Sequence, residues 1–333
     1  MFVTSDRYHL RLVGFHRGFE WRENLVGGVA VHGSRWRGIE PAARFLLECS
    51  AQLGLASEMV GAGYAGFGRV RTRQIQPRSL ERLANGDLPG AQGAAYVFVT
   101  GFREAEGAEG GAITHGGTVD AFEPTRRSGD ASLIPAYSYI PFNAGFAFPL
   151  KSAPIVAVTD LFRLAIELLG AEYGYYYVRD DLAFPSGYAS ALEGVLDNDY
   201  NDESADLARW FKYARDGNLW VDPFPKLRDL YEVNLLSGRH LTHPVENFGC
   251  LAEWISARTG RGRLEALADD RWLWKLTSHE MQAIRPELHA AGLTVGSCHR
   301  VYRDLPESGE NRPKPPVPWI AHLTAPRSFR GSS

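Results

Sequence analysis

The sequence predicts an α+β fold, with mixed or antiparallel sheets packed by helices, and three observations predict it. Strand-type and helix-type patterns are interleaved along the chain, without the regular βαβ alternation that builds a doubly wound sheet. The most regular stretch, Leu230 to Thr294, reads as an extended run, a short helix, a hairpin and a final helix, a C-terminal β-α-β-β-α module. No segment repeats at a fixed period, which sets aside solenoids and propellers.

A chain of 333 residues and 36.9 kDa is long enough to bury a sizeable core without metal or disulfide staples. The formal charge of −3 argues against a general nucleic-acid binder, which carries a basic excess. Three cysteines, Cys49, Cys250 and Cys298, lie far apart and form no CxxC, so neither a zinc ribbon nor a disulfide framework is expected. Cys49 and Cys250 sit among apolar neighbours and read as buried small hydrophobes. The stretch MFVTSDRYHL lacks the basic and apolar regions of a secretory signal, and no run is long enough to span a bilayer. The expectation is a cytoplasmic protein without membrane or nucleic-acid partners.

In chain order, Tyr8 to Phe15 and Asn24 to His32 read as strands. Pro41 to Leu53 reads as a helix, with Pro41 suited to its first turn and Gly54 to its end. Leu80 to Ala84 is a short helix capped by Ser79. AAYVFVTGF, Ala94 to Phe102, is a buried-strand run. Glu104 to Gly117 is rich in Gly and Glu and predicts a surface loop, and Thr125 to Asp130 a second one. Tyr137 to Leu150, broken by Pro141 and Gly145, predicts strands at a sheet edge.

A helix is expected from Thr159 or Asp160 to Leu169, then a strand Tyr175 to Val178 with Tyr175 and Tyr177 on one face and Tyr176 on the other. Glu203 to Arg215 carries Leu207, Trp210, Phe211 and Ala214 at helical spacing. In the last module Trp272, Trp274 and Leu276 share a strand face, Asp269 and Asp270 make the hairpin turn, and Thr277 with Glu280 has capping-box spacing. Pro286 either kinks the final helix or starts another. Beyond it, RPKPPVPW (Arg312 to Trp319) has polyproline II composition. These breaks divide the chain into an N-terminal α+β region (1–134), a C-terminal α+β region (135–295) and a Pro-rich, irregular tail (296–333).

The motif search yields no reactive centre. Gly61, Gly63 and Gly66 spell GxGxxG, but a helix precedes them and no amphipathic helix follows, so the helix N-terminus that would hold a pyrophosphate is missing. A glycine-loosened strand is the simpler reading. Arg69, Arg71 and Arg73 alternate as a solvated strand face does. His240 and His243 form HxxH with Glu246 three further on, but Pro244 biases His243 away from the helical geometry that zinc ligation needs. Asp197, Asp199 and Asn201 open like a calcium loop, yet Asp202 stands where glycine is required and Ala208 where glutamate is. Ser186 and Ser237 lack elbow glycines, and Cys298 and His299 are adjacent and point apart on a strand. No cofactor, no metal and no catalytic residue is assigned.

What remains is aromatic content. Tyr175, Tyr176, Tyr177, Tyr188, Tyr200, Trp210, Trp220 and Tyr231 cluster in sequence, and aromatics anchor interfaces because they bury area while losing few rotamers. With the neighbouring acids, the candidate partner-binding residues are Tyr175, Tyr177, Asp197, Asp199, Tyr200 and Asp202.

From about Ile155 to Leu293 the order of features resembles a family of bacterial immunity proteins that accompany polymorphic toxins, including those of type VI secretion. The similarity lies in a helix leading to a Gly-Tyr strand (AIELLGAEYGYYYV), then VNLLSGRHL, then LAEWI, and a hairpin and helix ending in AAGL. The resemblance implies a non-enzymatic cytoplasmic protein that binds and blocks a cognate toxin, with no catalytic residue to carry over. Two other expectations stand beside it. One is a hydrolase whose site forms in three dimensions from Asp180, Asp181, His240, His243 and Glu246. The other is a structural or assembly protein of a mobile element.

Overall fold

The computed structural model describes residues 25–55, 59–64, 71–75, 78–87, 96–104, 111–121, 142–149, 155–180, 209–210, 213 and 223–295. The fold is α+β. Its strands are β1 (Leu25–Gly33), β2 (Met59–Tyr64), β3 (Arg71–Ile75), β4 (Tyr96–Glu104), β5 (Gly111–Ala121), β6 (Phe142–Pro149), β7 (Tyr173–Asp180), β8 (Val233–Ser237), β11 (Arg263–Ala268) and β12 (Arg271–Lys275). They form one antiparallel sheet in the order β11-β12-β8-β7-β1-β6-β5-β4-β2-β3. The remaining pair, β9 (Pro244–Val245) and β10 (Gly249–Cys250), makes a small ribbon. Strands from either side of residue 134 interleave in the large sheet, because β1 lies between β6 and β7.

Strand β1 can occupy the centre because LVGGVAVHG is nearly free of bulk. Each of its glycines faces an aromatic residue on a neighbouring strand: Gly27 is registered with Phe148, Gly28 with Tyr177 and Gly33 with Phe142. A Cβ on Gly27 would come within 2.8 Å of the Phe148 ring, and one on Gly28 would collide with the Tyr177 ring. Gly117 of β5 repeats the arrangement opposite Phe146, whose Cδ2 a Cβ would approach to 2.5 Å. Rings laid over cross-strand glycines bury aromatic area and fix register together, since a slip by one residue would move every ring to the opposite face.

The middle of the sheet is buried on both faces. On the first, Val29, Val31, Val97, Val99, Val119, Phe146 and Tyr176 pack beneath α1 (Ile39–Gln52) and α3 (Ile155–Leu164). The short helix α2 (Arg78–Ala84) joins α1 there through Leu83 and Ala84. Helix α1 buries Ile39, Ala42, Ala43, Phe45, Leu46, Cys49 and Ser50, which recur at helical spacing. Burial pushes the Cys49 thiol pKa up, so this cysteine behaves as a hydrophobe. Helix α3 passes into a π-helical turn, Ala165–Leu169, which Gly170 ends at φ 73°.

On the second face, Tyr173, Tyr175, Tyr177, Leu236 and Trp274 are covered by Leu227–Tyr231 and three helices. These are α4 (Gly238–Leu241), α5 (Leu251–Ser256) and α6 (Ser278–Ala290). Among the described residues no helix is long and apolar enough to cross a membrane.

Several expectations are corrected. Tyr137–Leu150 was expected at a sheet edge, but β6 is interior: Phe142, Phe146 and Phe148 fill the first face while Gly145 and Ala147 leave room on the other. Of the expected loop Glu104–Gly117, residues 111–117 belong to β5, where Gly117 serves close packing of the Phe146 ring and not a turn. The helix expected from residue 159 starts at Ile155, a run of strand formers in sequence, and Val158 in its first turn is buried in the core. Ser79 lies inside α2 and does not cap it. The last module contains, besides the expected elements, the four-residue α4 and the β9–β10 ribbon.

The hairpin turn at Asp269–Asp270 is present, with Asp270 at φ 53°. Thr277 and Glu280 form the expected capping box, and α6 runs through Pro286. Gly61 and Gly63 lie within β2, as in the loosened-strand reading, while Gly66 and Arg69 fall outside the described residues. So do Tyr8–Phe15, Thr125–Asp130, Cys298 and the tail. Of the Glu203–Arg215 helix only Arg209, Trp210 and Tyr213 are described, and they are helical.

Two outcomes follow. Gly28→Ala is expected to destabilise the protein by about 1–3 kcal/mol through overpacking against Tyr177, read as a lower urea midpoint. Thr277→Ala should cost about 1 kcal/mol by removing the cap of α6, measured the same way.

Candidate functional site

The second face holds the chain's concentration of buried polar and aromatic groups, and the sheet register places them. Alternation on β7 puts Tyr173, Tyr175 and Tyr177 on this face and Tyr176 on the other, as their spacing predicts. One rung runs Asn143–His32–Tyr173 across β6, β1 and β7, and the next runs Ala30–Tyr175–Asn234–Trp274 across β1, β7, β8 and β12.

His32 is completely buried in the first of these rungs. Its Nδ1 lies 2.5 Å from Oδ1 of Asn143, while Nε2 has no hydrogen-bond partner among the described residues. With that amide orientation Nδ1–H donates and Nε2 keeps a bare lone pair. The imidazole stacks on Tyr173 at 5.6 Å and meets Trp210 edge-on at 5.5 Å. Burial pulls its pKa down to about 4; the Asn143 bond pulls the other way and the Arg228 charge adds to the lowering.

His240 stacks on the same tyrosine, 5.0 Å from the Tyr173 ring. It closes the N-terminal box of α4: its Nδ1 accepts the Ser237 backbone N–H at 3.3 Å and lies 2.9 Å from the Ser237 hydroxyl. An accepting Nδ1 makes the neutral tautomer Nε2–H, and this Nε2 too is buried without a partner. Burial lowers the His240 pKa to about 3, helped by the charges of Arg239, His243 and Arg271. Both imidazoles are therefore neutral at pH 7.

The tyrosine hydroxyls reach the segment that covers them. Tyr173 Oη accepts the Arg228 backbone N–H at 2.7 Å, and Tyr175 Oη accepts from the Arg228 guanidinium. Desolvation raises the Tyr173 pKa well above its ordinary value, so the phenol stays protonated. Tyr231 stacks on Tyr175 at 4.3 Å, a contact worth about 1 kcal/mol beyond its area. Beside them Asp229 accepts from Arg285 at 3.0 Å and from the Leu230 backbone N–H at 2.7 Å. Asn234 accepts the Tyr231 backbone N–H and donates to the carbonyls of Tyr231 and Trp274.

A second polar group binds the final module together. Arg261 lies with its guanidinium carbon 3.9 Å from the Trp254 ring centroid, donates to the Trp254 carbonyl at 2.7 Å and pairs with Glu287 at 3.0 Å. Glu287 also accepts the Trp254 indole N–H at 2.8 Å, and the Trp274 indole donates to the Arg261 carbonyl at 2.8 Å. Here each aromatic N–H has a partner, as buried indoles require.

The sequence-derived site residues fare differently. Tyr175 and Tyr177 are 0 % and 1 % exposed, so their rings line the core and not the surface. Asp197, Asp199, Tyr200 and Asp202 lie outside the described residues. Asp180 ends β7, and Asp181 falls outside.

His240 and His243 do not converge: the first turns into the core, and the second lies at its own strand, Nδ1 3.0 Å from the Pro244 carbonyl. Glu246 is exposed on the ribbon turn. Among the described residues no group of three or more His, Cys, Asp or Glu could hold a metal ion. Sequence reasoning missed His32, Asn143, Tyr173 and Arg228. A single histidine ending a run of small residues was the available signal for the first.

No family model matches the chain, and no curated protein matches it. Among solved structures it is similar to the Pseudomonas aeruginosa T6SS protein PA0821, at 13 % identity and a TM-score of 0.41, over 81 % of this chain and 73 % of that one.

Tyr173→Phe removes the acceptor of a buried N–H and is expected to cost about 1–3 kcal/mol, lowering the urea midpoint without changing the m-value.

Proposed function

We propose that this chain works by binding another protein, as an immunity protein that neutralises a cognate toxin in the cytoplasm, and transforms no substrate. The resemblance of Ile155–Leu293 to such proteins supports the reading. The observation that carries it is that the described histidines of the hydrolase alternative do not converge. His240 closes the box at the start of α4 and is buried in the core, while His243 lies against the adjacent Pro244 carbonyl. Glu246 is exposed on the ribbon turn, away from the buried His240 ring.

The contact surface in this reading is the acidic-aromatic stretch Asp197, Asp199, Tyr200 and Asp202. Phe224 follows it in the chain and is 37 % exposed beside the His243 ring. Acidic and aromatic side chains of this kind suit a partner with basic groups around an apolar pocket.

The test uses the product of a toxin gene adjacent to the gene for this chain. Co-expression should protect cells from that toxin, and the purified proteins should elute together in sizing chromatography. Asp197→Asn, Asp199→Asn and Asp202→Asn combined with Tyr200→Ala should weaken the complex at least about 10-fold, with unchanged thermal stability. Absence of both protection and complex contradicts the reading. So does hydrolytic turnover by the purified protein that Asp181→Asn or Glu246→Gln abolishes.

A further inference from the structure

We propose that the contact between the tyrosine face of β7 and the layer covering it is an acid-sensitive latch, held shut by neutral imidazoles at His32 and His240. The proposal goes beyond the binding role and does not depend on it. Its geometric basis is that two histidines from separate segments, β1 and α4, both stack on Tyr173 and both keep a buried Nε2 without a partner among the described residues. Tyr173 itself holds the covering segment, through the Arg228 amide.

Protonation acts differently at the two rings and damages both. His32 would take its proton on the bare Nε2, placing a cation with no acceptor in the core near the Arg228 guanidinium. His240 would take it on Nδ1, giving up the Ser237 amide bond beside Arg239, Arg271 and His243. The other groups facing the two rings are neutral: Asn143, Tyr175 and Trp210 around His32, Ser237 and Tyr173 around His240.

Three acids on the surrounding elements already hold partners. Asp229 holds Arg285, Asp270 accepts the Gly238 amide and the Arg271 guanidinium, and Glu172 accepts from Ser34 with Arg239 at 4.0 Å. Asp120 holds the rung position beyond Asn143.

The linkage sign follows. Each histidine has a folded pKa, about 4 and about 3, below its unfolded value of about 6.5. The opened state therefore binds more protons as pH falls from about 6.5 towards 4, and stability is lost over that window. Between pH 7 and pH 5 the opening equilibrium should rise on the order of 10-fold for each histidine exposed. Among the described residues the first core holds no histidine. Its buried polar groups are Ser50, which donates within α1 to the Leu46 carbonyl at 2.9 Å, and the Tyr176 hydroxyl, and burial keeps the Cys49 thiol protonated. Acid should thus free the layer and leave that core in place, uncovering Tyr173, Tyr175 and Tyr177.

Hydrogen exchange by mass spectrometry on the full chain at pH 7 and pH 5, corrected for intrinsic rates, tests this. Peptides covering Leu227–Tyr231 and Gly238–Ser256 should lose at least about 10-fold protection at pH 5, while Ile39–Gln52 keeps its own. His240→Asn, whose Oδ1 can still accept the Ser237 amide, should restore a large part of that protection. Should this variant not fold, imidazole NMR of the unaltered chain decides. The expected result is an Nδ1–H tautomer at His32, an Nε2–H tautomer at His240, and protonation of both only as the layer opens. Equal protection of the layer at both pH values overturns the proposal. So does parallel loss in Ile39–Gln52, or protonation of either ring with the layer still closed.

Discussion

The structure depends on the near-absence of side-chain bulk on one strand. Strand β1 sits in the middle of the large sheet, and the Phe148, Tyr177 and Phe142 rings of its two neighbours lie over its glycines. Give β1 ordinary strand residues and those rings have no place to go. With the glycines present, the rings cover the backbone on both faces and hold β6 and β7 in register. The two helix layers are then built on a base that is already fixed.

The two faces put that base to different uses. The first is mainly apolar and packs α1 and α3 largely by shape and burial. The second threads hydrogen bonds through its aromatic rows, so that Tyr173 and Tyr175 are each held at the hydroxyl and by a stacked ring. A buried polar network raises specificity because each member needs its partner in place. It also makes the second face the more sensitive to charge: two neutral imidazoles, a guanidinium and an Asp–Arg pair lie within one layer. The same commitment that keeps Tyr175 and Tyr177 out of reach at neutral pH removes the histidines from chemistry.

Much of this was legible in the residues, and the misses have physical causes. The Tyr175–Val178 alternation, the Trp272–Trp274–Leu276 face, the Asp269–Asp270 turn and the Thr277–Glu280 box all depend on short-range spacing, which sequence displays directly. The interior position of β6 was not legible, because glycine and flanking prolines mimic an edge strand when the rings that use the glycine are far away in sequence. Gly117 misled for the same reason, reading as loop where a Phe146 ring required it. Of the candidate contact residues, the two tyrosines were read correctly for face but not for depth: alternation says which side a ring takes, not what covers that side. His32 and Asn143 meet across 111 positions of chain, a pairing no local pattern contains.

The central claim is that β1 is the element on which both layers rest. Residue-resolved native-state hydrogen exchange at neutral pH measures it most directly. The account predicts that the amides of Val29, Ala30 and Val31 exchange among the slowest in the chain, with opening free energies equal to that of global unfolding. Exchange of these amides through a smaller, local opening, while those of α1 or α6 remain protected, would contradict it.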